Sequence, residues 1–192
     1  NYAIKNIHFP KDEEAIRIAH RRLAFEELYF LQLALLDKKG LGRRVKKQPF
    51  SDITCKEDFI ASLPFQLTGA QKRVIDEICA DFTSGKLMMR LVQGDVGSGK
   101  TAVAAAAMYI AVKNGYQAAI MAPTEILAAQ HFETFTSFFE DKGINFALLT
   151  GSTKKKKRLY EKIKSGEIDI VIGTHAVIQK DVEYKKLGLV VA

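Results

Sequence analysis

The sequence predicts an α/β fold, with a parallel sheet covered by helices on both faces and a long helix before it. Short apolar runs alternate with helix-length segments from residue 69 onward, which is typical of parallel sheets with both faces buried. The run 94–101 fits the phosphate-loop pattern of Gly, four residues, then Gly-Lys-Ser/Thr. At 192 residues the chain is long enough for a buried core, and its net charge of +7 favours a polyanionic partner.

The region before residue 65 is predicted to be built around one long helix. Residues 1–10 are interpreted as irregular, and residues 12–36 as a packing or linker helix because leucines and isoleucines recur there at helical spacing. The basic, glycine-containing stretch 38–49 is predicted to be an exposed loop. A short helix is expected from Lys56 to Ser62, ended by Pro64.

Helices and strands are then predicted to alternate to the end of the chain. Each predicted strand is a short apolar run, and in each predicted helix the apolar residues recur at helical spacing. The predicted helices cover 69–82, 100–113, 124–140 and 154–164, and the predicted strands cover 88–92, 118–122, 146–149, 169–172 and 187–191.

The phosphate-loop pattern predicts a site for a nucleoside triphosphate. Glycines let the backbone curl so that amide N–H groups point at phosphate, and the following helix presents its positive end to the same anion. Lys100 would reach the β and γ phosphates, and the Thr101 hydroxyl would bind Mg²⁺; these are the two candidate catalytic residues. The alternative is a glycine-rich turn before an ordinary helix. The candidate loop residues are Gly94, Asp95, Val96, Gly97, Ser98, Gly99, Lys100 and Thr101.

Other site types find little support in the sequence. Cys55 and Cys79 lack metal-ligand spacing and are predicted to be buried reduced thiols, and the four histidines form no ligand cluster. No signal peptide or membrane-spanning run is recognisable. A phosphate-loop enzyme usually carries a further acid after a neighbouring strand. Asp169 precedes its strand and Asp95 lies inside the loop, so we expect a fragment that ends before those acids and binds nucleotide without turning it over.

Several segments together resemble superfamily 2 helicases, and most closely the RecG family of bacterial ATP-dependent DNA helicases. They are Ser62–Gln71, Leu91–Thr101, Met121–Ala128, Leu149–Gly151 and Ile170–Ala176, and the early segments Ile7–Pro10 and Arg22–Leu28 resemble the family as well. The resemblance implies a RecA-like P-loop fold, here a truncated motor domain 1 at 51–192, with 1–50 joining a missing wedge domain to the motor. It also implies ATP and Mg²⁺ as cofactors, branched DNA such as forks and Holliday junctions as partner, and a monomeric, cytoplasmic, nucleoid-associated bacterial parent.

The resemblance also assigns roles to single residues. Gln71 would grip adenine and Phe65 would stack on the base, although core packing is as good an interpretation of Phe65. DNA-backbone contacts would come from Thr124, Glu125, Thr150, Gly151, Thr174 and His175. Thr124 would serve equally well as a plain helix N-cap. The basic run Lys154–Arg158 is either a solvated helix face or a further phosphate contact.

Two other functions remain open at the level of sequence. One is the motor of a transcription–repair coupling translocase, against which Ser98 and the run Pro123–Ala128 favour the RecG family. The other is a small phosphate-loop kinase or nucleotide-binding switch. Gln71 and the polar loops after three strands argue against that second class, because no acceptor site is recognisable.

Overall fold

The computed structural model describes residues 2–44 and 48–192, with side chains described for 2–37 and 48–192. The chain divides into two compact units, Asn1–Lys47 and Gln48–Ala192. Among the residues described, no helix is long and apolar enough to cross a membrane.

The first unit consists of two helices, α1 (Tyr2–His8) and α2 (Glu13–Arg44). The prediction of an irregular segment over 1–10 was wrong for 2–8, and residue 1 lies outside the described residues. Seven residues rarely hold a helix alone, but α1 packs against α2, and the Asn6 amide donates to the Tyr2 carbonyl at 3.0 Å. Asp12 accepts a bond from the Ala15 backbone N–H at 2.7 Å, where α2 begins.

Helix α2 continues well past its predicted end at residue 36. The loop predicted over 38–49 is therefore wrong for 38–44, and 45–47 lie outside the described residues. The stretch is rich in Lys, Arg and Leu, which are good helix formers, and each glycine costs only about 1 kcal/mol in a helix. Basic composition together with two glycines was too weak a signal to end the helix.

The second unit carries the sheet. Its helices are α3 (Cys55–Ser62), α4 (Gly69–Thr83), α5 (Lys100–Lys113), α6 (Glu125–Phe138) and α7 (Lys156–Ser165), with a 3₁₀ turn at His175–Ile178. Its strands are β1 (Gln117–Met121), β2 (Phe146–Leu149), β3 (Ile170–Gly173) and β4 (Leu187–Val191). The strand order is β2-β3-β1-β4, and every pair is parallel.

Successive residues of the strands face opposite sides of the sheet, and both sides are covered. Ile170 and Ile172 belong to the core cluster under α3, α4, α5 and α6, whereas Val171 belongs to a second cluster that includes Ile163 of α7. This alternation is the period of two expected for a strand. The predicted fold class, a parallel sheet with helices on both faces, is thereby confirmed.

One predicted strand is absent: residues 88–92 are neither helix nor strand. Leu91 is 89 % exposed and Met89 is 65 % exposed. The segment makes no strand-to-strand hydrogen-bond ladder; instead, the Arg90 guanidinium forms ion pairs with Glu77 and Asp81 of α4. An apolar run shows strand-forming tendency but does not supply the neighbouring strand whose backbone it must bond.

Candidate nucleotide and nucleic-acid site

The phosphate loop lies directly before α5, on the exposed surface of the second unit. Gly97 and Gly99 have φ of +78° and +76°, the left-handed region that favours glycine. Because α5 begins at Lys100, the backbone N–H groups of Lys100 and Thr101 lie at the open N-terminus of the helix, next to the loop, whereas that of Ala102 already donates to the Gly99 carbonyl at 3.0 Å. The described backbone therefore has the form of an anion site at a helix start.

Lys100 is held within this loop. Its ammonium donates to the Gly94 carbonyl at 2.7 Å and to the Asp95 carbonyl at 2.8 Å. An ammonium has three N–H groups, so these two bonds leave one for an incoming phosphate. Thr101, half-buried, follows on the first turn of α5.

Gln71 joins α4 to the phosphate loop. Its backbone N–H donates to the Thr68 hydroxyl at 3.2 Å and its side-chain oxygen accepts from the Thr68 backbone N–H at 2.7 Å, which completes a capping box. Its Nε2 donates to the Ser98 carbonyl at 2.9 Å. A Cβ at Gly99 would lie 2.3 Å from that nitrogen, so only glycine admits the contact. The adenine role predicted for Gln71 stays a prediction.

Phe65 is half-exposed and meets Phe138 edge-to-face, with ring centroids 5.8 Å apart. It lines a shallow pocket with Pro64, Leu67 and Lys72. One part of the ring is thus packed and another faces solvent, which is compatible with either role that the sequence left open.

Three polar loops lie at the carboxyl edge of the sheet because they follow the parallel strands β1, β2 and β3. After β1, Thr124 caps α6 by accepting from the Leu127 backbone N–H at 3.2 Å. The N-cap interpretation of Thr124 is therefore observed, and its hydroxyl hydrogen can still donate to another group.

Glu125 connects the first of these loops to the second. Its carboxylate accepts from the Ser152 backbone N–H at 3.1 Å and from the Ser152 hydroxyl at 2.7 Å. Hydrogen bonding by the Ser152 side chain is the main cause that lowers the pKa of Glu125 below its usual range. A Cβ at Gly151 would lie 2.9 Å from the carboxylate, so glycine permits this approach.

The loop after β2 is also bonded internally. Thr150 is buried, and its backbone N–H donates to the Thr153 hydroxyl at 2.8 Å while its own hydroxyl lies 2.9 Å from that of Ser152. Thr153 was missing from the predicted site. Its signal was a Thr-Gly-Ser-Thr run directly after a strand, a composition typical of turns closed by side-chain hydroxyls.

The third loop begins at a close contact between strands. A Cβ at Gly173 would lie 1.8 Å from the Leu149 carbonyl oxygen, and the Thr174 backbone N–H donates to that same oxygen at 3.3 Å. Thr174 is half-buried, and His175 is exposed at the first position of the 3₁₀ turn. These two residues stand between the loops that follow β1 and β2, since β3 pairs with both strands.

The donor set suits a triphosphate with its magnesium ion. Loop amides, one ammonium and one hydroxyl match phosphate oxygens and a cation held mostly by phosphate and water. Within the described part of the chain, no group of three His, Cys, Asp or Glu side chains converges to hold a metal. Cys55 and Cys79 are free and buried, as predicted, and burial raises the pKa of Cys55 to about 11.

Comparison with known proteins gives a consistent result. Residues 68–192 match the family model of the DEAD/DEAH box helicases. The chain is 50 % identical over 194 residues to the ATP-dependent DNA helicase RecG of Bacillus subtilis (strain 168), covering 98 % of this chain and 28 % of that protein. It is 46 % identical over 200 residues to that of Aquifex aeolicus (strain VF5), covering 98 % and 25 %.

A solved structure of RecG bound to a three-way DNA junction is similar as well, with a TM-score of 0.81 and 46 % identity. The similarity covers 98 % of this chain and 26 % of that one. The chain thus spans about a quarter of the length of these relatives, and the resemblance inferred from the motifs is confirmed.

Proposed function

We propose that this chain, which belongs to the DEAD/DEAH box helicase family, is the ATP-binding part of the first motor domain of an ATP-dependent helicase acting on branched DNA. The observation that carries the proposal is Lys100, held inside a phosphate loop at the start of a helix that packs on β1 and β4. In this proposal residues 51–192 belong to the motor, and residues 1–50 link it to a domain that divides the DNA strands.

For ATP, the residues would act by position and charge. Lys100 would exchange its bonds to the loop carbonyls for the β and γ phosphates, while the loop amides hold the other phosphate oxygens. The Thr101 hydroxyl would bind Mg²⁺, which supplies charge neutralisation for the triphosphate. Gln71 would offer its second amide hydrogen to the adenine edge, and Phe65 the exposed part of its ring.

For DNA, we propose that the three loops at the carboxyl edge bind the phosphate backbone. Thr124 and Thr174 carry donors suited to phosphate oxygens, and His175 and Gly151 are exposed beside them. The Glu125 carboxylate would repel a phosphate, so we propose that it acts indirectly by holding Ser152 and hence the loop after β2.

The substrates that we propose, forks and Holliday junctions, follow from the similarity to RecG proteins, one of which is solved on a three-way junction. The same similarity to bacterial DNA helicases supports a place at the nucleoid in the cytoplasm. Because the chain spans about a quarter of those relatives, we propose that ATP turnover and strand separation require the remainder of such a protein.

The proposal is tested by titrating ATP with Mg²⁺ into the chain in a calorimeter. We expect the wild type to bind and Lys100→Ala to lose measurable binding, because the cation that meets the β and γ phosphates is gone. Lys113→Ala removes an exposed lysine from the opposite end of the same helix and should bind like the wild type. Equal ATP affinity in the wild type and Lys100→Ala would refute the phosphate-loop assignment.

A second measurement addresses the DNA. The full-length protein that carries this chain should hydrolyse ATP faster when forked or four-way DNA is added than with duplex DNA. A rate that ignores DNA and responds to a small phosphate acceptor would instead indicate a kinase.

A further inference from the structure

The segment Lys154–Arg158 places five cations in succession at the start of α7, directly after the loop that follows β2. Lys154, Lys155, Lys157 and Arg158 are exposed, and Lys156 is half-buried. We call these four exposed side chains the basic track. None of the four forms a salt bridge with any residue that the structure describes.

The other lysines of the same helix are treated differently. Near the end of α7, Lys162 pairs with Glu167 and Lys164 pairs with Glu183. The two nearby acids do not form ion pairs with the basic track. Glu125 is bonded to Ser152, and Glu161 makes no ion pair within the described part of the chain. The lysines near the C-terminus of α7 are thus paired with acids, whereas, among the residues described, the basic track at its N-terminus is not.

The N-terminal end of α7 is also the unfavourable end for a cation. The N-terminus of a helix carries partial positive charge, so acids stabilise it and lysines destabilise it. Here the first turn holds no acid and no side-chain cap. The helix is held instead by its apolar side, where Ile163 is buried and Leu159 and Tyr160 pack against the same core cluster. The charge of the basic track therefore opposes the folded helix, and none of the salt bridges described in the chain offsets it.

We propose that the basic track binds the phosphate backbone of a nucleic-acid strand, extending the contact surface beyond the three loops at the carboxyl edge. The sheet order puts β2 at one end of the sheet, with β3 next to it and then β1. A strand that meets the loops after β1, β3 and β2 in turn reaches the basic track next. This step rests on the proposed function for the identity of the polyanion.

The test compares salt dependence of DNA binding in three forms of the full 192-residue chain. The track variant carries Lys154→Gln, Lys155→Gln, Lys157→Gln and Arg158→Gln. The control variant carries Lys5→Gln, Lys11→Gln, Arg21→Gln and Lys86→Gln, which removes the same charge from exposed positions elsewhere. Binding of a fluorescein-labelled single-stranded oligonucleotide is followed by anisotropy from low to moderate salt.

Each ion pair between a cation and a phosphate contributes about 0.7 to the slope of log affinity against log salt on a single strand. If the substitutions abolish two or more such ion pairs, the track variant should bind at least about tenfold more weakly at low salt, and its slope should fall by about 1.4 or more. The control variant should keep the wild-type slope. If the track variant and the control variant show the same slope and the same affinity, the proposal that the basic track binds phosphate is overturned and the proposed function stands.

Two further readouts keep the outcome decisive. The track variant should melt at or above the wild-type temperature, since it loses charges that repel one another and the helix start. If it fails to fold, the pairs Lys154→Gln/Lys155→Gln and Lys157→Gln/Arg158→Gln are measured separately, each expected to give part of the change in slope. If the wild type binds no DNA, both proposals are overturned. If the basic track changes binding only to anionic lipid vesicles and not to DNA, the proposal that it binds nucleic acid is overturned.

Discussion

At the scale of single residues, the bond between Glu125 and Ser152 changes how the DNA edge is understood. A carboxylate on a surface proposed to meet phosphate is unfavourable unless it has another task. Here it accepts two hydrogen bonds from Ser152 across two loops that belong to different strands. The sequence pattern placed Glu125 in a contact segment, whereas the structure shows what it contacts within the protein.

The Ser152 hydroxyl should therefore control the titration of Glu125. In the wild type the pKa of Glu125 lies below the usual value of 4.5, because the Ser152 side chain bonds the charged form. Ser152→Ala removes that hydroxyl but keeps the backbone N–H, so the pKa should rise part of the way back. The measurement is a carbon-detected NMR titration of the Glu125 carboxyl, with Ser152→Thr as the variant that retains a hydroxyl.

The sign of the stability effect follows from the same bond. A carboxyl whose pKa is lowered on folding stabilises the protein above its unfolded pKa, and the contribution disappears as pH falls through the lowered value. Wild type should thus exceed Ser152→Ala in stability above pH 4.5, and the difference should shrink below it. The same Glu125 midpoint in both proteins would show that the hydroxyl does not hold the carboxylate.

At the scale of elements, the end of β3 lies close against the end of β2. Gly173 pairs with Leu149 in the β2–β3 register and with Met121 in the β1–β3 register. Any side chain at 173 would meet the Leu149 carbonyl oxygen at 1.8 Å. The strands could admit it only by separating, at the point where two of the polar loops begin.

Gly173→Ala should consequently destabilise the second unit by about 3 kcal/mol, the upper part of the range for overpacking. Gly69→Ala is the matched control, because Gly69 begins α4 with no atom within 4 Å of an added Cβ and alanine favours helix over glycine. Urea unfolding of both variants, followed by circular dichroism, gives the two free energies. Equal stability of the two variants would contradict the close contact.

The elements also show what sequence can and cannot predict. The strands 146–149 and 187–191 were predicted at their observed bounds, because a continuous apolar run between turn residues is a local signal. Residues 88–92 carry the same signal without forming a strand. Whether a run pairs depends on a neighbour elsewhere in the chain, which periodicity does not report.

Within the site, the phosphate loop was predictable because Gly94, Gly99, Lys100 and Thr101 have fixed places in a local pattern. The partnership of Gln71 with Ser98 was not, since the two lie far apart in sequence and meet only when α4 packs beside the loop. The same holds for Glu125 with Ser152. Long-range hydrogen bonds between polar side chains leave no periodic trace in the sequence.

At the scale of the whole molecule, burial is divided unevenly between the two units. Among the side chains that the structure describes, the members of both apolar core clusters lie between residues 50 and 191. In the first unit, Ala15 and Ala19 are buried, whereas many large apolar side chains of α2 are exposed, among them Phe25, Leu28, Phe30, Leu31 and Leu36. The apolar burial described around the sheet is therefore supplied by side chains of the second unit.

Residues 48–192 should fold without the first unit and melt at the same temperature as the full chain. Of the side chains described in 1–47, none belongs to either core cluster, so we expect the deletion to remove little of the apolar burial that stabilises the sheet. The comparison is made by thermal unfolding of both proteins, monitored by circular dichroism, and ATP titration of each shows whether the phosphate loop is intact. A midpoint lower by more than about 4 °C, which corresponds to about 1 kcal/mol for a domain of this size, would mean that α1 and α2 stabilise the sheet directly.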